Sequence, residues 1–448
     1  MSRRFLPCLI LLIAGIALAA VLVPQEQAAV TTHLASFPDA DATFQQLRPW
    51  VLAGLCLVPA LGGLFYGLGG TLARYVTRQF LVLLGLAFSA LLMIWLLIDF
   101  QDNLSELRSS QNVGLTMLRL YSARLPEVFT ILIPYALLLS LLFCLGKLST
   151  SREIIAMIQT GRGLARVTTP FLLTGLLATL FCMGLDFQWA PASVAREKQI
   201  LDSARGLSES AADYVLFRNP RKPRIWMVRS FPANFTQGAP LVGVRVVQEN
   251  PDGSLQSSLV ADTAAWDPVR KQWRFSGAVM RKIEAGQPPK FVHDLPDPYI
   301  VSDWRETPAE IIQPGLPAHQ LGVPALAGWL KSKSHVSPAR ATHRTQWHHR
   351  FAQPFNCLIM VLLATPLGVV FSRRGASGGV ALAVFLSAGL MFATTISLTL
   401  GDSGHLPPFV AAWLPNVLFG LLAIFLFQRR LAGRPIYQTL RRLIPNES

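Results

Sequence analysis

Charge is scarce in this sequence. Only 15% of its 448 residues are Asp, Glu, Lys or Arg, where a soluble domain carries roughly 25%. Acidic residues are the rarer sign, 25 against 40 basic ones, which leaves a formal net charge of +15. Cysteine is sparse as well: Cys8, Cys56, Cys144, Cys182 and Cys357 make an odd, unclustered set, each in or beside an apolar run. That pattern argues against a disulfide framework and for inert buried thiols. No phosphate-binding loop is present. Its nearest echo, Leu145-Gly146-Lys147-Leu148, has Leu141 where a glycine is needed and no Ser or Thr after Lys147. A process driven by ATP would therefore need another chain to bind the nucleotide. No HExxH helix occurs, and no spacing of Ser, His and Asp nominates a catalytic triad. The basic excess forms no long tract of the kind that follows a nucleic acid backbone. Disorder, a collagen-like chain and a disulfide-stapled secreted domain are excluded, and a cytosolic globular enzyme is disfavoured.

What is present explains the missing charge. Eight apolar runs cover Phe5 to Pro24, Trp50 to Gly70, Phe80 to Ile98, Val128 to Gly146, Thr168 to Leu185, Phe355 to Phe371, Gly378 to Leu400 and Pro408 to Phe427. Runs of about 20 residues cross a ~30 Å hydrocarbon core as helices. Short loops rich in Lys and Arg stay on the cytoplasmic side. Arg74 and Arg78 follow the second run, Lys147, Arg152, Arg162 and Arg166 the fourth, and Arg373 and Arg374 the sixth. Arg429, Arg430, Arg434, Arg441 and Arg442 end the chain. Eight spans put all of these inside, together with both termini. The first run, preceded by Arg3 and Arg4, reads as a retained helix, with a cleaved signal peptide as the alternative.

Between the fifth and sixth runs lies a long polar stretch. Tyr214 to Phe217, Arg224 to Val228, Leu241 to Gln248, Leu255 to Leu259 and Trp273 to Lys282 read as short strands. Pro251-Asp252-Gly253 reads as a turn and Trp266-Asp267-Pro268 as a loop. Alternation of apolar and polar residues from Trp273 to Met280 is only partial. Many short strands separated by turns indicate a β-sandwich or jelly-roll layer. Gly322 to Lys333 and the segment leading to His349 read as helical. There His343, His348 and His349 lie beside Trp347 and Arg350, and an interfacial helix is a plainer reading than a metal site built from nitrogens so close in sequence.

Ser149 to Gly163 is the most informative polar connection. Ser149 or Ser151 is placed to cap a short helix, Ile154, Met157 and Ile158 form an i, i+3, i+4 apolar edge, and Gly161 or Gly163 can end it. Two readings stand: an ordinary interfacial turn, or a cytoplasmic handle for a motor subunit.

The order of several segments resembles the LptF/LptG family, the membrane subunits of the lipopolysaccharide-export transporter. The matching segments are Arg74-Tyr75-Val76-Thr77-Arg78-Gln79-Phe80, Ile98-Asp99-Phe100, Arg124-Leu125-Pro126-Glu127, Leu145 to Ser149 and Glu153 to Met157 with Gly161. Arg350 to Pro354, Ala364 to Gly368, Leu406-Pro407-Pro408 and Trp413 to Asn416 follow in the second half. No one of these motifs is diagnostic; their order around an external β-domain is.

The resemblance implies a multispanning α-helical membrane protein of the Gram-negative inner membrane. A periplasmic β-sandwich or jelly-roll-like domain would be inserted between two three-helix halves. In that frame residues 1–71 are an N-terminal extension with two spans, and 72–188 the first permease half. Residues 189–320 are the periplasmic domain, 321–350 an interfacial helical connection, 351–430 the second half and 431–448 a cytoplasmic tail. The implied partners are a cytoplasmic ATPase dimer, a second LptF/LptG-like permease, periplasmic bridge components and lipopolysaccharide. ATP and Mg would be held by the ATPase, with no cofactor in this chain. Arg152, Glu153, Met157 and Gly161 match the family's coupling segment: Glu153 is expected to contact the motor, Met157 to dock by its side chain and Gly161 to permit the exit turn. Arg74 and Arg78 are expected to orient lipid or anchor the first family span. Export of another lipid or lipoprotein and a non-transporting scaffold remain the alternatives.

Overall fold

The computed structural model describes residues 5–36, 42–108, 112–161, 163–204, 210–219, 222–232, 234–235, 238–250, 254–267, 270–283, 290–292, 295–312, 315–331, 339–369 and 377–432. Eight helices precede the strands: α1 (Leu6–Ser36), α2 (Ala42–Leu68), α3 (Thr71–Asp102), α4 (Leu104–Arg108), α5 (Val113–Thr150), α6 (Glu153–Gln159), α7 (Leu164–Phe187) and α8 (Trp189–Ala204). Six more follow them: α9 (Pro308–Ile312), α10 (Val323–Lys331), α11 (Ala339–Ala352), α12 (Asn356–Gly368), α13 (Ser377–Asp402) and α14 (Pro408–Leu431). Among the described residues eight helical stretches are long and apolar enough to cross a membrane, one for each apolar run of the sequence. They remain apolar on their outer faces. On α3 the side chains of Val82, Leu86, Met93 and Leu97 are exposed, and on α13 those of Phe385 and Phe392. Such surfaces suit hydrocarbon as solvent, where a helix satisfies its own backbone.

α5 is the axis of the helical body. Leu137, Leu141, Leu142 and Leu145 are buried there against Val361, Leu363, Ala364 and Leu367 of α12, in one core that also takes Phe171 of α7 and Ala423 of α14. Cys182 and Cys357 meet in this core with their sulfurs 3.7 Å apart and remain free thiols. The external connection expected between Asp99 and Glu127 is largely helical, since α3 runs to Asp102 and α5 starts at Val113. The histidine-rich helix α11 passes through a 3-10 turn, Gln353–Phe355, into α12, so that Arg340–Gly368 forms one candidate span. On α11 the His343 ring stacks on Trp329 at 3.7 Å and His348 meets the edge of Phe409. Among the described residues no group of three His, Cys, Asp or Glu side chains is arranged to hold a metal.

α1 and α2 form a tight hairpin. A side chain at Gly63 would come within 2.8 Å of the Cys8 Cα, and one at Gly15 within 2.5 Å of the Cys56 carbonyl. Close backbone approach through small residues is how helices gain contact in a solvent that offers no hydrophobic drive.

The strands are β1 (Ser210–Arg218), β2 (Arg224–Pro232), β3 (Leu241–Glu249), β4 (Leu255–Asp267), β5 (Gln272–Ser276), β6 (Val279–Lys282), β7 (Lys290–Val292) and β8 (Tyr299–Val301). They pair antiparallel into one sheet in the order β1-β2-β3-β4-β5-β8, with β6 also on β4 and β7 on β6. The turn expected at residues 251–253 and Pro268 lie outside the described residues. Trp266 and Asp267, expected in a loop, end β4, because Trp266 pairs with Trp273. The expected strand from Trp273 to Lys282 is broken at Gly277 into β5 and β6, yet both keep one register with β4.

That break belongs to a crease across the whole sheet. The registers align Tyr214, Arg229, Gly243, Asp262 and Gly277 side by side on successive lanes. Alternate lanes have left-handed backbone there: Tyr214 at φ 53°, Gly243 at φ 64° and Gly277 at φ 63°. Buried residues sit three apart across this line, at Ala212/Val215, Val228/Phe231, Leu241/Val244 and Ala261/Ala264. In an unbroken strand such positions face opposite sides; here each lane rotates at the crease and both leaves bury into one core. Trp226, Trp273, Phe275 and Trp304 fill it, their ring centroids 4.9–6.2 Å apart in the contacting pairs. Beside them Arg224 donates to both carboxylate oxygens of Glu306, at 2.7 and 2.8 Å, and stacks over Trp304.

Candidate functional site

α6 hangs from the end of α5 by one left-handed residue, Arg152, at φ 60°. The N-cap position falls on Arg152, which makes no side-chain cap bond, and Ser151 Oγ donates to the Lys147 carbonyl and, at 2.9 Å, to Glu153 Oε1. Tyr75 Oη of α3 donates to Glu153 Oε2 at 3.0 Å and Gln79 in turn donates to Tyr75. Glu153 therefore ties α6 to the first family span within its own chain. Gly161, at φ 84°, turns the chain out of the helix as expected of a glycine there, and its N–H donates to the Ile158 carbonyl.

Met157 is only 6% exposed and lies with Ile154 in the central core beside Val76, Phe80 and Leu148. It anchors α6 inward rather than offering its side chain to a partner. The helix surface consists of Arg152, Ile155, Ala156, Gln159 and Thr160. Of these only Arg152 had been singled out from sequence. The i, i+3 spacing of Ile154 and Met157 carried the inward reading equally well, because an apolar edge does not say which body it packs against. Arg74 and Arg78 stand on α3 at this same end, Arg74 next to Tyr75 and Arg78 about one turn beyond it; Arg74 is half-buried with its Nε unpaired, and Arg78 is exposed.

A second cluster forms at the opposite end of α5, from motif residues to which the sequence assigned no role. Arg124 bridges two carboxylates, pairing with Asp99 of α3 and, at 2.9 Å, with Glu197 of α8. Its guanidinium lies 4.8 Å over the Trp95 ring. Asn103 donates to Asp99, and Ser193 of α8 donates to Glu127 at 3.4 Å. Burial pushes the Glu197 carboxyl above the ordinary glutamate value, opposed by Arg124 and reinforced by Glu127 and Asp99. From the other half, Arg350 donates to the His319 carbonyl and faces Asp186 and Glu127 electrostatically. Burial and the Arg350 charge together lower the pKa of His319. Paired acids and bases spread over three elements were detectable in sequence only as isolated charges beside apolar runs.

The sequence model of the family described as lipopolysaccharide export system permease LptF/LptG matches residues 74–429. The chain belongs to this family. Two relatives are the lipopolysaccharide export system permease protein LptG of Escherichia coli strain K12 and of Escherichia coli O6:H1 strain CFT073. Each is 24% identical over 374 residues, covering 81% of this chain and 99% of the relative. The family match starts at Arg74, so α1 and α2 precede it. Family membership together with the eight candidate spans supports a permease role in an inner-membrane, multi-pass chain with a large external domain. The α6 segment, the Arg124 cluster and the Arg350 segment all lie within the matched region.

Proposed function

We propose that this chain is the membrane subunit of an ABC-type exporter that lifts lipopolysaccharide from the inner membrane and passes it to a periplasmic bridge. A separate ATPase dimer supplies the power, and a second LptF/LptG-like permease completes the path. The observation that carries the reading is the position of α5. This continuous helix of 38 residues has α6 at one end and the Arg124 cluster at the other, and the cluster leads through α8 to the sheet. At 1.5 Å per residue the helix is about 57 Å long, and the stretch from Arg124 to Thr150 covers about 39 Å of it, enough to relay a push on α6 across the membrane to the cluster.

In this reading Arg152, Ile155, Ala156 and Gln159 meet the motor, Glu153 and Met157 hold α6 to its own permease, and Gly161 permits the return into α7. Residues 72–188 and 351–430 form the two halves around the lipid path. The creased sheet of 189–320 is the jelly-roll-like receiver, its two leaves closing over one core as a sandwich does. The work is moving an amphiphile: exposing an acyl chain costs about 0.8 kcal/mol per CH₂, so several long chains face a barrier that needs both ATP and an apolar route. The test is reconstitution with the ATPase, the second permease and the bridge. ATP-dependent transfer of lipopolysaccharide supports the proposal. ATPase-coupled release of a different lipid or of a lipoprotein would replace the cargo, and stable assembly without ATPase stimulation would make the chain a scaffold.

A further inference from the structure

The N-terminal hairpin does not simply lie against the family helices; it borders an open-sided cavity together with them. This cavity of about 1480 Å³ is bounded by α1, α2, α3, α5 and α7, and is larger than the roughly 300–1,000 Å³ of pockets for drug-sized ligands. Its walls are apolar, and its far end is closed by Phe88, Phe129 and Phe181, with centroids 5.4 and 6.3 Å apart. At the near end stand Arg74, Arg78 and Arg166, and among the described residues no carboxylate lines it. Two helix N-termini, those of α3 and α7, converge at this same end behind Gly70 and Gly163, neither carrying a side-chain cap. Their free N–H groups add partial positive charge. Arg74 Nε is buried there without a partner.

We propose that this cavity holds an anionic glycerophospholipid of the cytoplasmic leaflet, its phosphate on Arg74, Arg78 and Arg166 and its acyl chains running toward the phenylalanines. The dimensions fit that occupant. From Arg78 to Phe88 is ten residues of α3, about 15 Å along the helix, which is half of a ~30 Å hydrocarbon core. The depth is that of one leaflet. Charge complementarity is one-sided, since three guanidiniums and two helix ends face a space that no described acidic residue lines. A bidentate guanidinium contact suits a phosphate diester, and a zwitterionic headgroup would bring an unmatched ammonium into the same place. Only α1 and α2 precede the family match, so the extension supplies one side of the site while the three arginines lie within the matched region.

The experiment uses the full chain in nanodiscs of equal parts phosphatidylglycerol and phosphatidylethanolamine, with retained lipid counted by native mass spectrometry. The expected result is one phosphatidylglycerol held per chain, several-fold in preference to phosphatidylethanolamine. Replacing all three arginines by Gln should abolish the preference. Gly85→Phe should abolish retention of both lipids, because Gly85 lines the cavity and a Cβ added there meets nothing within 4 Å, leaving the ring to occupy the lipid's space. Retention of no lipid by the wild type, an unchanged preference in the triple variant, or displacement of the held lipid by added lipopolysaccharide would each overturn the proposal. None of these readouts depends on transport.

Discussion

Replacing Arg124 by Gln removes the one cation that two carboxylates share. The side chains of Arg124, Asp99 and Glu197 are only 14%, 10% and 19% exposed. Breaking a buried ion pair costs about 3–5 kcal/mol because the partner charge stays behind. Residual solvent access reduces this, and loss of the Trp95 stacking adds a little, so about 2–4 kcal/mol is expected at pH 8. The cost should shrink in acid. Burial holds the Glu197 carboxyl above its ordinary value while Arg124 pulls it down, so the variant raises it further. A carboxyl whose folded pKa is raised favours the fold below its unfolded value and turns against it as pH climbs through the folded one. As the pH falls, the variant's Glu197 takes a proton more readily and sheds part of the repulsion. Thermal unfolding of the purified chain should therefore show a midpoint lowered by several degrees at pH 8 and by about half as much at pH 5. Adding Asp99→Asn and Glu197→Gln to Arg124→Gln should restore much of the loss. An equal drop at both pH values, or no drop, would refute the reasoning.

Three further outcomes are expected. Glu153→Lys breaks the links to Tyr75 and Ser151 and should impair coupling while membrane insertion is retained; normal lipid-stimulated ATPase activity in the reconstituted complex would count against it. Glu306→Ala strands Arg224, whose side chain is 6% exposed, and should cost the external domain about 3–5 kcal/mol, measured by tryptophan fluorescence on unfolding, whereas Arg224→Met with Glu306→Leu should cost far less. Gly243→Ala puts a Cβ 2.9 Å from that of Arg229 at a left-handed position and should cost about 1–3 kcal/mol, seen as faster proteolysis of the β-domain.

Much of the architecture was legible because a hydrocarbon solvent writes simple rules into sequence. Every apolar run became a candidate span, and the strands appeared where Val, Trp and Phe cluster. The crease was hidden. It shows locally as the partial alternation around Gly277 and as scattered glycines, but its meaning depends on five lanes placing those residues in one line, which register alone decides. At the α6 segment the same limit applies. Glu153 to Gly161 could be located from its spacing and its family resemblance, yet Met157 faces inward because α3 and α5 provide a core on that side.

Sequence by itself determined which segments enter the membrane, which lie outside it, and which short connection carries the unusual polar helix, since length, hydropathy and charge are local quantities. Only the tertiary structure decided that Asp99, Arg124 and Glu197 form one ionic cluster, that a sheet in simple chain order folds along a crease, and that the N-terminal hairpin borders a cavity ending on Arg74, Arg78 and Arg166. Each of those joins residues far apart in the chain. Their energies arise from burial and mutual distance, which no single segment contains.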